Sequence, residues 1–77
     1  MKLADVFFRS VTEVKEFVNI VSDIKGDVTL SDQRHFVDAK SIMGIFCLNL
    51  TRALELEIDH WDERYEPMLA KYIVRYH

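Results

Sequence analysis

VDAKSIMGIFCL, residues Val37 to Leu48, is the stretch on which the fold turns. From Ile42 to Leu48 every side chain is apolar or small, and Gly44 sits inside the run. A membrane span needs about 20 such residues, so the run is too short to be one. It is also too uniformly apolar for an ordinary surface helix with one wet face. Ser41 stands at its front, where a hydroxyl accepts a hydrogen bond from an orphan helix amide. The expectation is a short helix over Ile42–Leu48, capped by Ser41. Ile45, Leu48 and Leu50 then supply the side that rests on the core. Ile42, Met43 and Phe46 point away from it. Apolar groups exposed together in this way mark an interaction surface, to which methionine adds adaptability.

Working outward, Leu3–Phe8 reads as a first strand, short and aromatic. Ser10-Val-Thr-Glu13 has the spacing of a capping box. Val14, Phe17, Val18 and Val21 recur at helical intervals behind it, which predicts a first helix over Val11–Ile24, ended by Gly26. Asp27–Leu30 and His35–Asp38 read as a strand pair around the polar turn Ser31–Arg34. Leu54, Leu56 and Ile58 alternate with Glu55, Glu57 and Asp59, so a strand lies there with its apolar side inward. Tyr65, Met68, Leu69, Tyr72, Ile73 and Tyr76 form a helical stripe that predicts a third helix to the end of the chain, with Pro67 tolerable only near its first turn. The order β-α-β-β-α-β-α describes one α+β domain over 1–77: an open-faced sandwich with helices on one face of a mostly antiparallel four-stranded sheet. A ferredoxin-like fold with an added helix fits the same string.

Composition bounds the function. Hydrophobic residues make up 49% and charged ones 30%, the balance of a folded chain rather than a disordered one. The net charge is −3 with the two signs interspersed. No basic stripe is present for a phosphate backbone, so nucleic acid is not the expected partner. Asp5 and Arg9 break the apolar N-terminus, which argues against a signal peptide, and a membrane role is not expected. A single cysteine, Cys47, excludes an internal disulfide and a multi-cysteine zinc site. A reducing, cytoplasmic setting is the simplest expectation.

Asp27-Val-Thr-Leu30, the polar turn after it, and Val37-Asp-Ala-Lys-Ser-Ile-Met-Gly-Ile45 together resemble the HPr family, the phosphocarriers of the sugar phosphotransferase system. The likeness is strongest over Lys40-Ser-Ile-Met-Gly44, which is similar to the signature around that family's regulatory serine. It implies an HPr-like open-faced β-sandwich, phosphorylation of Ser41 by a serine kinase, and docking of partner proteins on the second helix through Ile42, Met43, Phe46 and Cys47. A transcriptional regulator is the other partner implied. The family's carrier histidine is followed by Ala-Arg-Pro. Counted back without gaps from Lys40-Ser41, the histidine position falls on Ser10, the arginine position on Thr12 and the proline position on Glu13. No histidine precedes His35. Phosphorylation there needs an imidazole to attack phosphorus, and a serine with no neighbouring base does not replace it. The reading is therefore a regulatory binding module without phosphocarrier activity.

The remaining residues have bland readings beside the sharper ones. His35, His60 and His77 share no helix face at ligand spacing, so exposed histidines are expected and no metal site or cofactor. Asp59, Asp62, Glu63 and Glu66 suit the start of the third helix. Trp61 and the tyrosines after it read as packing. Cys47 has no basic neighbour in sequence to activate it. No nucleophile–base pair or paired carboxylates suggest an enzyme. The bland reading of the whole chain is a structural or homo-oligomeric domain, in which Ile42, Met43 and Phe46 close a homodimer and Ser41 is only a helix cap.

Overall fold

In the computed structural model, which describes residues 1–77, the elements are β1 (Lys2–Val6), α1 (Val11–Ser22), β2 (Val28–Ser31), β3 (Phe36–Asp38), α2 (Ile42–Ile45), β4 (Leu54–Ile58), α3 (Tyr65–Leu69) and β5 (Ile73–Tyr76). The sheet has five strands, not the four expected, in the order β3-β2-β4-β1-β5, and every neighbouring pair is antiparallel. With β4 between β1 and β2, the order suits the open-faced sandwich and not the ferredoxin-like alternative, which needs β3 in that place.

The alternation in β4 has the expected consequence. Leu54, Leu56 and Ile58 are buried, Glu55 is exposed and Glu57 half-buried. Opposite them on the inner face lie Val28 and Leu30 of β2 and Ala4 and Val6 of β1. Val14, Phe17 and Val21 of α1 and Ile45 of α2 close the core from the helical side. Burying apolar side chains on one face only is what lets the other face carry charge.

The third helix is the main correction. Tyr65–Leu69 is a single short helix, and the chain then turns into β5, which pairs with β1. The stripe Tyr65, Met68, Leu69, Tyr72, Ile73, Tyr76 is shared between a helix and a strand. Pairing decides this. Without β5, β1 would be an open edge with unpaired amides and carbonyls, and residues 73–76 supply the missing ladder. Pro67 falls within the first turn of α3, where its missing N–H would have had no intrahelical acceptor. Tyr72, 3% exposed, sits at the junction. Its ring packs 5.9 Å from that of Phe8 and 5.6 Å from that of Phe17, and its hydroxyl donates to Glu16 Oε1 at 3.1 Å.

Smaller shifts follow from the same packing. β1 ends at Val6, two residues before its expected end. Phe8 leaves the strand and meets Phe17 edge-on at 4.9 Å. α2 is one turn long, with Phe46–Leu48 following as turns. Its glycine has a packing reason: a Cβ on Gly44 would stand 3.2 Å from Val37 Cβ and 3.4 Å from Ser41 Oγ. Glycine thus lets the helix lie close against β3, which is why an apolar run carries one.

Candidate docking site

Ser41 and the turn it opens form the first part of the site. Ser41 is exposed, has extended backbone, and accepts the Gly44 amide on its hydroxyl at 3.2 Å, while its carbonyl accepts the Ile45 amide at 3.1 Å. The segment before it is held by Asp38, whose carboxylate accepts the Lys40 amide at 2.9 Å and whose carbonyl accepts the Ser41 amide at 3.0 Å. The serine is fixed in place by its neighbours on both sides.

Beyond it, Met43 is 72% exposed and Phe46 38%, and Cys47 is exposed, its thiol donating to the Met43 carbonyl at 3.5 Å. Ile42 departs from the expectation: it is half-buried and packs against the core. A one-turn helix cannot hold Ile42, Met43 and Phe46 all clear of its support, so Ile42 packs half-buried against the core beside the buried Ile45 and Leu48, with Leu50 also half-buried at its margin. The exposed apolar group is Met43, Phe46 and Cys47.

Lys40, next to Ser41 in sequence, turns toward the first helix. Its ammonium donates to the carbonyls of Ile24 at 2.6 Å and Gly26 at 3.0 Å. These belong to the turn that follows α1, so Lys40 ties the docking turn to the end of the first helix. A cation is well placed among carbonyls left over after a helix ends.

The position counted as the carrier site is built differently. Ser10 caps α1, its hydroxyl accepting the Glu13 amide at 3.2 Å, and Glu13 Oε1 accepts the Arg9 amide at 2.9 Å. The reciprocal cap of the sequence is present, shifted by one residue on its return arm. Around it lies a hollow of about 250 Å³ lined by Phe8, Val11, Val14 and Leu50 with Arg9 at its rim. Val11 is 57% exposed. The Ser10 hydroxyl is engaged as the cap of α1.

The three histidines lie apart. His35 is in the hairpin turn, His60 sets its ring over Gly26, and His77 Nε2 meets Asp5 Oδ1 at 2.8 Å. No three His, Cys, Asp or Glu side chains come together in a way that could hold a metal ion. Of the acidic group around the start of α3, Asp62 is engaged by Arg64, through its guanidinium at 2.7 Å first and its backbone amide at 2.9 Å second, and these bonds hold the carboxyl below its usual range. Trp61 packs edge-on to Tyr65 and Tyr76.

Two arrangements had no local signal in the sequence. Asp32 accepts the amides of Arg34 and His35 on one oxygen, at 3.0 and 2.9 Å, and the Asn49 amide on the other, at 2.9 Å. The Asn49 bond first, then the two turn bonds, hold its carboxyl down to about 2. Asp32 thereby pins the hairpin to the loop that follows α2. Glu16 is the second: Lys71 Nζ at 3.0 Å and the Tyr72 hydroxyl lower its pKa, and they join α1 to the residues before β5.

A one-layer antiparallel sheet, helices on one face, and an exposed serine opening an apolar turn define a class: an open-faced sandwich with a capped, part-exposed second helix. A family model described as "PTS HPr component phosphorylation site" matches residues 12–72. The chain belongs to the HPr family and is thereby related to the phosphotransferase system. The match begins after Ser10 and ends at Tyr72, before β5. Comparison with curated proteins and with solved structures gives no match. Members of the family carry phosphoryl groups and interact with proteins of that system, with no substrate turnover of their own. No helix is long and apolar enough to cross a membrane.

Proposed function

We propose that this HPr-family protein is a cytoplasmic regulatory binding module that docks protein partners through α2, with Ser41 as its switch, and that it does not carry phosphate on histidine. The observation that carries the reading is one juxtaposition. An exposed serine of the family's regulatory signature stands at the head of an exposed Met43–Phe46–Cys47 surface, while Ser10, at the counted position of the carrier histidine, is spent as a helix cap. A serine kinase and a transcriptional regulator are the partner classes that fit. Both would meet a surface of apolar groups around one modifiable hydroxyl.

Phosphorylation would add a charge of about −1.5 to −2 at pH 7 at the edge of that surface. It repels an acidic partner surface and attracts one bearing arginine. Because α2 is a single turn, its dipole is small, and the gain in fold stability lies near the low end of about 0.3–1 kcal/mol. Lys40 is committed elsewhere, so the new charge is read by the partner more than by the fold.

The experiment treats the purified protein with the family's serine kinase and ATP and maps the product by mass spectrometry. Phosphate on Ser41 supports the reading; labelling elsewhere, or none under conditions that modify an HPr with its carrier histidine, removes the switch. In parallel, phosphoenolpyruvate with the system's first enzyme should leave no acid-labile phosphate on His35, His60 or His77. A second reading rests on the same exposed Phe46: a homodimer closed through α2. Sedimentation separates the two, since a tight dimer that shields Phe46 favours the second.

A further inference from the structure

The sheet face turned away from the helices has no place in the docking function, yet it holds a polar hollow of about 400 Å³. Two of its three carboxylates are already engaged. Asp32 uses both oxygens on backbone amides, and Asp5 binds His77 Nε2 at 2.8 Å and Arg75 at 3.5 Å. Left over in the same hollow are the Glu55 carboxylate and the Arg52 guanidinium, both exposed and neither in an ion pair. Phe36, 77% exposed, forms part of the wall.

The charge pattern selects the ligand. The two groups left without partners, Arg52 and Glu55, are of opposite sign, so a simple anion answers Arg52 and leaves Glu55 unanswered. A simple cation leaves Arg52 unanswered, and no metal-ligating group of three is present. A molecule carrying both signs answers both free groups at once. The volume is that of a small-molecule site.

We propose that this hollow binds a small zwitterion of the α-amino-acid class, its carboxylate on the Arg52 guanidinium, its ammonium on the Glu55 carboxylate, and its side chain against the Phe36 ring. The planar guanidinium suits a carboxylate in two-point contact, and an aromatic or aliphatic side chain gains contact on an exposed ring. The site lies outside the α2 surface, so its occupancy is independent of docking there.

The test titrates the whole chain with L-phenylalanine and follows amide shifts. Saturable shifts at Ser31, Phe36, Arg52 and Glu55, with a dissociation constant on the order of 1 mM, are expected. N-acetyl-L-phenylalanine amide, which lacks both charges, should produce none. Arg52→Gln and Glu55→Gln, exposed changes that leave the fold intact, should each weaken binding about tenfold or more. No saturable shift up to about 10 mM amino acid, equal binding of the capped compound, or full affinity in both variants would overturn the proposal.

Discussion

Truncating Tyr72 tests the least expected part of the fold, the turn from α3 into β5. Tyr72 is buried against Phe8 and Phe17, and its hydroxyl reaches across to Glu16 on α1. Tyr72→Ala removes an aromatic ring from a site walled by two others, a change that costs about 3–5 kcal/mol in cores of this kind. A domain of this length has a total stability of roughly 4–12 kcal/mol at the usual per-residue value. The variant therefore stands at or near unfolding. With a urea m-value of about 1 kcal/mol/M for a small chain, the midpoint falls by about 3 M or the transition is lost. Tyr72→Phe keeps the ring and loses only the hydroxyl bond, at about 1 kcal/mol. Burial first, and the bond to Glu16 second, push the Tyr72 phenol up from 10.0 to about 12. A raised pKa favours the protonated form in the folded state, so this contribution is whole below pH 10 and is lost as pH rises through 12. Urea melts by circular dichroism at pH 7 and across pH 9 to about 12 measure all of this, and Tyr72→Phe should show the shallower alkaline decline. A Tyr72→Ala midpoint within about 1 M of the parent would refute the packing of the turn between α3 and β5 against α1.

Other outcomes follow from single contacts. Asp32 has its folded pKa lowered to about 2 from 3.8, so its contribution is present above pH 3.8 and lost as pH falls through 2; Asp32→Asn should flatten the acid limb of the stability curve between those values, as read by thermal melts at stepped pH. Gly26 has φ of 84°, and a Cβ there would lie 2.6 Å from the His60 ring. Gly26→Ala should cost about 1–2 kcal/mol of left-handed strain, with only ~0.5 kcal/mol relieved in a His60→Ala background, because the exposed ring can swing aside; equal stability of Gly26→Ala and the parent would deny the positive φ. Met43→Ser, on a 72% exposed position, should shift stability by no more than about 0.5 kcal/mol in urea melts, and Phe46→Ser, 38% exposed, should cost about 1–2 kcal/mol, while both abolish partner binding.

Much of this molecule is legible from residue patterns because those patterns are local. The β4 alternation, the Ser10–Glu13 cap and the Ser41 cap each sit within a few residues, and each is present in the fold. The C-terminal segment failed for the opposite reason. Residues 65–76 carry a helical stripe, yet the open edge of β1 lies some 70 residues away in sequence and outweighs it, as Asp5 opposite Arg75 shows. Ile73 and Val74 are β-branched, the one local hint toward a strand. Asp32 looked like any turn aspartate, and its bond to Asn49 spans 17 positions. Lys40 likewise points to Ile24 and Gly26, which no spacing rule selects. In the turn after Ser41, Met43 and Phe46 are exposed, but Ile42 is drawn inward because the helix is a single turn.

The docking claim is tested most directly by titrating isotope-labelled protein with the family's serine kinase, without ATP, and mapping the amide shifts. The account predicts that they cluster on Ser41, Met43, Phe46 and Cys47 and vanish in the Phe46→Ser variant. Shifts confined to the open face around Phe36 and Glu55, or undiminished in that variant, would contradict it.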